Sequence, residues 1–165
     1  MDNIEYLNEI VLEEEINKID NLIKNTKFAT IATSNKEGIV STAQMCIVNK
    51  GLTVYFQTDK TFEKIRNIYE NNNIAFNIGA YNFKGKAQIV GKPIQNNDFI
   101  ELIKQKHIDT YKSYTLLENE VLIKAEITEC KIWGIKHKLD THEQETIEVI
   151  DFINKTKKII ICDRM

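Results

Sequence analysis

One short segment of the sequence combines hydroxyl groups, cations and the start of a helical pattern. A strand pattern rich in aromatic and β-branched residues ends near Gln57, and two threonines and two lysines follow it: Thr58, Lys60, Thr61 and Lys64. A helix N-terminus presents unpaired backbone N–H groups and a partial positive charge. The side chains add donors and positive charge at the same place. The pattern therefore indicates a site for a phosphate monoester.

The same residues also fit an ordinary surface helix. Thr61 can cap its start, and Lys60 and Lys64 can lie in solvent on its exposed face. Patterns this short are loose. On these residues alone, both interpretations stay open.

Other groups of reactive side chains carry less information. His137, Asp140, His142 and Glu143 are close in sequence, but their spacing matches no zinc signature, and we interpret them as a polar loop without a metal. His107 follows Lys104 and Lys106 on the charged face of a predicted helix, so we expect it to be exposed. No Ser–His–Asp or Cys–His arrangement is recognisable, so no catalytic residue is named.

The composition is that of an ordinary globular protein. The chain has 165 residues, of which 42% are hydrophobic and 28% charged, with a formal net charge of -2. These values predict one domain and no nucleic-acid partner, because Lys and Arg are neither in excess nor clustered. No apolar run reaches membrane-spanning length and the N-terminus does not read as a secretory signal, so we predict no membrane association. Three widely spaced cysteines favour a reducing compartment, and we expect a cytoplasmic protein in which each cysteine is a small buried side chain.

Hydrophobic periodicity predicts many short strands with helices inserted between them. An N-terminal helix is predicted over 3–25, capped by Asp2 or Asn3, and further helices over 61–70, 97–107 and 146–153. The predicted strands are 28–33, 39–48, 52–57, 74–78, 84–90, 121–128, 131–135 and 158–162. The first three are expected to form an antiparallel meander, and 121–128 and 131–135 are expected to form a hairpin. The pattern over 111–117 is ambiguous. This order of elements favours a β-barrel with helical decorations.

Several local motifs follow one another in a characteristic order between residues 28 and 93. They are a strand–turn–strand through Gly38, a strand that ends in Tyr55-Phe56-Gln57-Thr58, a helix start with Thr61, Lys64 and Asn67-Ile68, an asparagine turn at Asn72-Asn73, and a strand that ends at Gly91. In this order the chain resembles the FMN-binding split-barrel superfamily, the pyridoxamine 5'-phosphate oxidase-like proteins. The late segment 121–135 fits the same family.

The resemblance implies a fold, a cofactor and an assembly. The fold would be mainly β with flanking helices, an antiparallel split barrel in one domain over 1–165. It would contain an N-terminal helix 3–25, a barrel core 27–135 and a C-terminal extension 136–165. The protein would be a homodimer with FMN at each side of the interface and Trp133 bordering the pocket. Its function would be that of a flavin-dependent oxidoreductase acting on an unidentified small molecule, in which the flavin carries out the redox chemistry.

The resemblance also implies which residues contact the cofactor. Thr58 and Lys64 would hold the flavin phosphate, with Thr61 nearby. The strand at 44–47 would lay its backbone along the isoalloxazine ring, and the strand before Gly91 would approach the flavin. The full set is Gln44, Met45, Cys46, Ile47, Gln57, Thr58, Thr61, Lys64, Lys86 and Gln88.

Two positions in the segment depart from the family pattern. Many members have an arginine where this chain has Gln44, and a second cation where it has Glu63. Phosphate binding would then rest on Lys64, the hydroxyls, backbone donors and Lys60. The chain also lacks the C-terminal arginine signature of true pyridoxamine phosphate oxidases, so vitamin B6 oxidation is not predicted.

Two alternative functions stay open within the same fold. One is a non-enzymatic flavin- or haem-binding storage or stress protein, because some split barrels bind haem through a histidine near the C-terminus. The other is a barrel without a cofactor, which the departures at Gln44 and Glu63 keep open.

Overall fold

A computed structural model describes residues 4–139 and 142–162, with the side chains of 136–139 and of 142 and 143 left out of the description. Within these residues the chain forms one antiparallel sheet with helices packed against it. The strands are Ile4–Tyr6 (β1), Phe28–Ser34 (β2), Val40–Cys46 (β3), Val48–Lys50 (β4), Thr53–Asp59 (β5), Asn73–Ile78 (β6), Tyr81–Ile89 (β7), Glu120–Leu139 (β8), His142–Asp151 (β9) and Thr156–Ile161 (β10).

Three helices of two turns or more lie between the strands, and two of them begin at asparagine caps. They are Glu9–Lys24 (α1), Glu63–Glu70 (α2) and Asn97–Lys106 (α3). Asn8 accepts the Val11 N–H at 3.0 Å and Asn96 accepts the Phe99 N–H at 2.9 Å, so each cap satisfies a backbone donor that the helix leaves free. A 3₁₀ turn spans Pro93–Gln95, and a short helical turn at Ile108–Thr110 continues into a π-helical turn at Tyr111–Thr115. In the described part of the chain, none of the helices combines the length and the apolar character that crossing a membrane requires.

The N-terminal helix is shorter than its periodicity indicates. The prediction of a helix from residue 3 is wrong at this end, because Ile4–Tyr6 pair with β10 as a strand. Asn8 is the cap, in place of the expected Asp2 or Asn3, which lie outside the described residues.

The sheet is organised around β8, which has three neighbours. Its first part pairs with β5, its middle with β7 and its last part with β9. The predicted hairpin of 121–128 and 131–135 is therefore wrong. Glu129 looks like a turn residue in the sequence, but it pairs with Asp151 of β9 and the strand continues through it.

The expected meander of the first three strands forms only in part. β3 pairs with β2, and β4 pairs with β5. In the part of the chain that the structure describes, β3 and β5 are not joined by a ladder, and the sheet stays open. This opening lies beside the cavity described below.

The C-terminal segment is a strand where the sequence predicts a helix. Residues 146–153 contain apolar side chains at a spacing that suits both periods, and the helix prediction is wrong because β9 pairs with β8 on one side and β10 on the other. The predicted final strand is confirmed as β10. The tail therefore extends the sheet.

The hydrophobic core lies between the sheet and the helices. Its largest fully buried side chains include Phe56, Phe83 and Ile123 from three different strands. A smaller cluster joins Phe99 and Ile103 of α3 to Val48, Tyr55 and Leu122. Side chains of β5 thus pack on both of its faces, and β5 carries several candidate site residues.

Candidate functional site

A cavity of about 460 Å³ lies between β3, the end of β5 and the start of α2, and we call it the β3–β5 cavity. The turn at Tyr111–Thr115 and the segment that leads to β8 form its other side. Most of the site residues implied by the resemblance line it: Gln44, Met45, Cys46, Gln57, Thr58 and Lys64. The open edge of β3 and the pairing of β5 with β8 bring these residues together.

The remaining residues of the predicted set lie outside this lining. Ile47 is fully buried behind it. Lys86 and Gln88 share one exposed face of β7, as their spacing predicts, because Gly85 and Ala87 point to the buried face. Lys86 donates a hydrogen bond to Asn73 of the neighbouring strand. Contact of these side chains with a cofactor stays a prediction.

Thr61, the last member of the predicted set, directs its donors at a carboxylate of the same turn. Asp59 Oδ1 accepts the Thr61 backbone N–H at 2.8 Å and the Thr61 hydroxyl at 2.7 Å. These two hydrogen bonds hold the pKa of Asp59 below its usual value. Thr61 is also not the helix cap, because α2 begins after Phe62, which makes no side-chain capping bond. The Asp59 carboxylate therefore occupies donors that a phosphate was expected to use.

Lys64 points to the cavity from the first turn of α2. Its Nζ donates a hydrogen bond to Thr58 Oγ1 at 3.2 Å and lies 4.6 Å from the centre of the Phe62 ring. Burial lowers the pKa of Lys64, while the nearby carboxylates of Glu120 and Glu63 act in the opposite direction. Lys64 and Thr58 thus form the donor pair at this end of the cavity.

Gln57 lines the cavity and contains a buried polar atom without a partner. Its side chain is 8% exposed, and its Oε1 accepts the Thr115 hydroxyl at 2.8 Å. Its Nε2 is buried without a hydrogen-bond partner. An unsatisfied buried donor costs about 1–3 kcal/mol, and such atoms in folded proteins need a specific explanation. Because Nε2 itself is inaccessible while Gln57 lines the cavity, a rotation of the side chain would bring this amide to an acceptor on a bound molecule.

Glu120 is a site residue that the sequence does not reveal. It is 7% exposed, lines the cavity and stands directly opposite Asp59 in the β5–β8 ladder. Burial raises the pKa of Glu120, and the Asp59 carboxylate raises it further. The residues next to Glu120 in the sequence do not indicate that it belongs to the site. Glu120 lies beside Asp59 only because β5 and β8, which are far apart in the chain, pair in this register.

The region behind the cavity contains a buried histidine. His107 was expected to be exposed, and this is wrong: it is 5% exposed, with Nε2 at 3.1 Å from the Ile47 carbonyl oxygen. Burial lowers the pKa of His107. The side chain was misjudged because α3 ends at this residue and turns it inward. The ring supports the backbone of Ile47, just beyond the part of β3 that lines the cavity.

The three cysteines differ in how deeply they are buried. Cys130 is buried as expected, which raises its pKa to about 12. Cys46 is half-buried in the cavity, 3.5 Å from the Thr110 hydroxyl, and Cys162 is half-buried as well.

The side chains of His137 and His142 lie outside the described residues. Among the residues with described side chains, no cluster of three or more His, Cys, Asp or Glu side chains could hold a metal ion.

Comparison with solved structures shows the same fold in distant proteins. General Stress Protein 26 from Bacillus anthracis is 20% identical, with a TM-score of 0.57 over 71% of this chain and 92% of that chain. HutZ, a haem storage protein from Vibrio cholerae, is 12% identical, with a TM-score of 0.55 over 67% and 88%. ChuZ from Campylobacter jejuni is 15% identical, with a TM-score of 0.63 over 94% of this chain and 64% of that chain. At these identities the likeness concerns the fold alone.

Comparison of sequences gives the family. None of the curated proteins matches the chain. Residues 16–134, however, match the sequence profile of the pyridoxamine 5'-phosphate oxidase family. This segment runs from α1 into the last part of β8 and includes every residue of the β3–β5 cavity, so the predicted split-barrel fold and the family resemblance are confirmed. The chain belongs to the pyridoxamine 5'-phosphate oxidase family.

Proposed function

We propose that this protein binds a flavin in the β3–β5 cavity and acts as a flavin-dependent oxidoreductase on a small molecule. FMN is the flavin that the family resemblance implies. The observation that carries the proposal is the buried, unpaired Nε2 of Gln57, a residue that lines the cavity bordered by the predicted flavin-binding strand. A flavin ring offers carbonyl oxygens and ring nitrogens that can accept this hydrogen bond.

The residues present fit the ring and the sugar-alcohol chain of a flavin. The volume of about 460 Å³ lies in the range of ordinary small-molecule sites. Met45 and Cys46 supply a backbone edge with an apolar character, and Thr58 and Lys64 supply donors for hydroxyl oxygens. The fit to the phosphate of FMN is poorer, because Asp59 and Glu120 lie at the same end as Lys64.

The flavin would supply the redox chemistry, and the polypeptide would bind, orient and shield it. Gln57 would fix the orientation of the ring by one hydrogen bond, since the Thr115 hydroxyl already holds the other end of its amide. Phe62, Tyr114 and Leu117 would keep water away from one side of the bound molecule. No side chain is assigned as an acid or a base.

We further propose that the protein is a homodimer with a flavin at each side of the interface. Phe62, Tyr114 and Leu117 border the cavity and are more than half exposed in the single chain. Large apolar side chains grouped at the rim of a cavity are typical of a surface that another molecule covers. A second copy placed on this rim would complete the enclosure of the flavin, as the family resemblance implies.

The visible absorption spectrum of the freshly purified full-length protein tests the proposal, together with the mass of any released cofactor. The expected result is the absorption of oxidised flavin, or its appearance when flavin is added to colourless protein. A Soret band would overturn the flavin assignment and support the haem alternative. Protein that takes up no flavin would also overturn it.

Turnover separates an enzyme from a storage protein. We expect NADH or NADPH to reduce the bound flavin and an acceptor to reoxidise it through repeated cycles. A flavin that stays oxidised with both nucleotides, and that also resists other donors, would contradict the oxidoreductase proposal while leaving flavin binding in place.

A further inference from the structure

We propose that the β3–β5 cavity selects a flavin without a terminal phosphate, so that riboflavin binds at least as tightly as FMN. This inference rests on the proposed flavin binding and adds the chemical form of the ligand. It depends on the charges around the cavity and on the unpaired amide of Gln57.

The phosphate end of the cavity carries more negative than positive charge. Among the lining residues, Asp59 and Glu120 supply two carboxylates and Lys64 one ammonium group. Glu63, exposed on the first turn of α2, adds a third carboxylate close to Lys64. Lys60, likewise exposed and outside the lining, lies close to Asp59 and adds one positive charge, which leaves three carboxylates against two ammonium groups. A phosphate dianion placed here would face a surplus of like charge.

Asp59 and Glu120 are held together by the sheet itself. They are partners in the β5–β8 ladder, where side chains directly opposite each other lie within about 5 Å between their Cβ atoms. Like charges in this position repel each other. The pKa of Glu120 is raised by burial and by Asp59, as expected for a carboxylate in such a pair.

Some of the donors at this end of the cavity already have acceptors. Asp59 Oδ1 accepts both the backbone N–H and the hydroxyl of Thr61. Lys64 Nζ donates to the Thr58 hydroxyl. To use the Thr61 donors, a phosphate would have to displace the Asp59 carboxylate, which leaves it the two remaining N–H groups of Lys64 and the Thr58 hydroxyl.

The neutral part of a flavin meets a different surface. Gln57 Nε2 is a buried donor without a partner, and it needs an acceptor rather than a charge. The carbonyl oxygens and ring nitrogens of the isoalloxazine meet this need equally well in riboflavin and FMN. The cavity therefore favours the features that the two flavins share and disfavours the phosphate that distinguishes them.

Titration of the full-length protein, freed of bound flavin, with riboflavin and with FMN tests the inference through quenching of flavin fluorescence. We expect a riboflavin dissociation constant equal to or lower than that of FMN. We also expect added salt to improve FMN binding relative to riboflavin, because salt screens repulsion between exposed charges. FMN binding that is tenfold tighter than riboflavin binding, or that weakens with salt, would overturn the inference and leave the proposed function intact.

A double variant provides an independent test. Asp59→Asn with Glu120→Gln removes both charges and keeps an acceptor oxygen for Thr61. We expect FMN binding to tighten by roughly tenfold, the size of a charge interaction across a partly buried site, with riboflavin affinity nearly unchanged. Glu118→Gln, an exposed carboxylate beside the cavity segment, is the matched control and should change neither affinity.

The outcomes separate the two levels of the proposal. Unchanged FMN affinity in a folded double variant would overturn the charge argument. If the double variant does not fold, the salt dependence of the unmodified protein decides alone. Failure of the unmodified protein to bind either flavin would overturn the proposed function, and this inference with it.

Discussion

The amide of Gln57 is stabilised on one side only. Thr115 donates to its Oε1, while Nε2 stays buried and unpaired. A side chain selected only for folding would avoid this cost, since an apolar residue of similar size would fill the same space. The arrangement is therefore expected of a residue whose partner arrives with the ligand.

Replacement of Gln57 by Leu tests this at the level of one residue. We expect the free energy of unfolding without ligand to stay within about 1 kcal/mol of the original, because removing the unpaired Nε2 offsets the loss of the hydrogen bond from the buried Thr115 hydroxyl. Flavin affinity should fall by roughly tenfold. Chemical denaturation and flavin titration give the two values. Gln105→Leu, at an exposed glutamine of α3 outside the cavity lining, is the control and should change neither.

Lys64 is the cation that lines the cavity, and its removal should affect the two flavins differently. We expect Lys64→Ala to weaken FMN binding by roughly 1–3 kcal/mol, through loss of a charged hydrogen bond. The loss for riboflavin should be smaller, because no phosphate is involved. Titration calorimetry measures both. An unchanged FMN affinity would remove Lys64 from the site.

At the scale of elements, one ammonium group connects the C-terminal strands to α1. Lys157 of β10 lies 2.8 Å from Glu148 of β9 and 3.4 Å from Glu15 of α1, and all three side chains are mostly buried. Glu15 also contacts Lys18 at 3.3 Å. Removing one member of a buried charged group leaves the others poorly compensated, which costs more than the group contributes when complete.

We therefore expect Lys157→Met to lower the free energy of unfolding by about 3 kcal/mol, measured by chemical denaturation. Lys131→Met, at an exposed position of β8, should stay within about 0.5 kcal/mol of the original. Equal effects of the two changes would show that the buried group contributes no more than a surface lysine.

A second lysine links α3 to α1 and makes stability depend on pH. Lys106 Nζ donates to the Ile23 carbonyl oxygen at 2.7 Å, and burial lowers its pKa from 10.5 to about 8. The folded protein thus binds this proton less tightly than the unfolded chain. The penalty is complete below pH 8 and is relieved as the pH rises toward 10.5.

The difference in unfolding free energy between the original protein and Lys106→Met should therefore rise between about pH 8 and 10.5. Taking the difference cancels the titration of other tyrosine, lysine and cysteine side chains. Denaturation curves at several pH values provide it. A difference that stays constant over this interval would contradict the lowered pKa.

At the scale of the whole molecule, the exposed rim of the cavity leads to a prediction about assembly. We expect a homodimer in solution, measured by sedimentation, with Leu117→Gln weakening association by roughly tenfold, because a polar side chain would replace an apolar one in the covered surface. Ile153→Gln is the control, because Ile153 is 71% exposed in the β9–β10 turn and outside the cavity lining. A monomer that still binds flavin would contradict the dimer proposal.

The local elements and the family could be predicted from the sequence by itself. The β6–β7 hairpin, α3 and β10 lie close to their predicted positions because short-range periodicity and turn residues determine them. The order of motifs around Thr58 and Lys64 identified the family. Most of the residues that the resemblance implies line one cavity, among them Gln44, Gln57 and Lys64, and their contact with a cofactor stays a prediction.

Only the tertiary structure decided the pairing of distant segments and the charges that pairing brings together. β1 and β9 are strands because neighbouring strands offer them backbone partners, which overrides a periodicity compatible with a helix. β8 continues through Glu129 for the same reason. The opposition of Asp59 and Glu120 and the unpaired amide of Gln57 arise from contacts between residues far apart in the chain. Local sequence patterns contain no information on such contacts, because burial and register are set by the packing of the whole sheet.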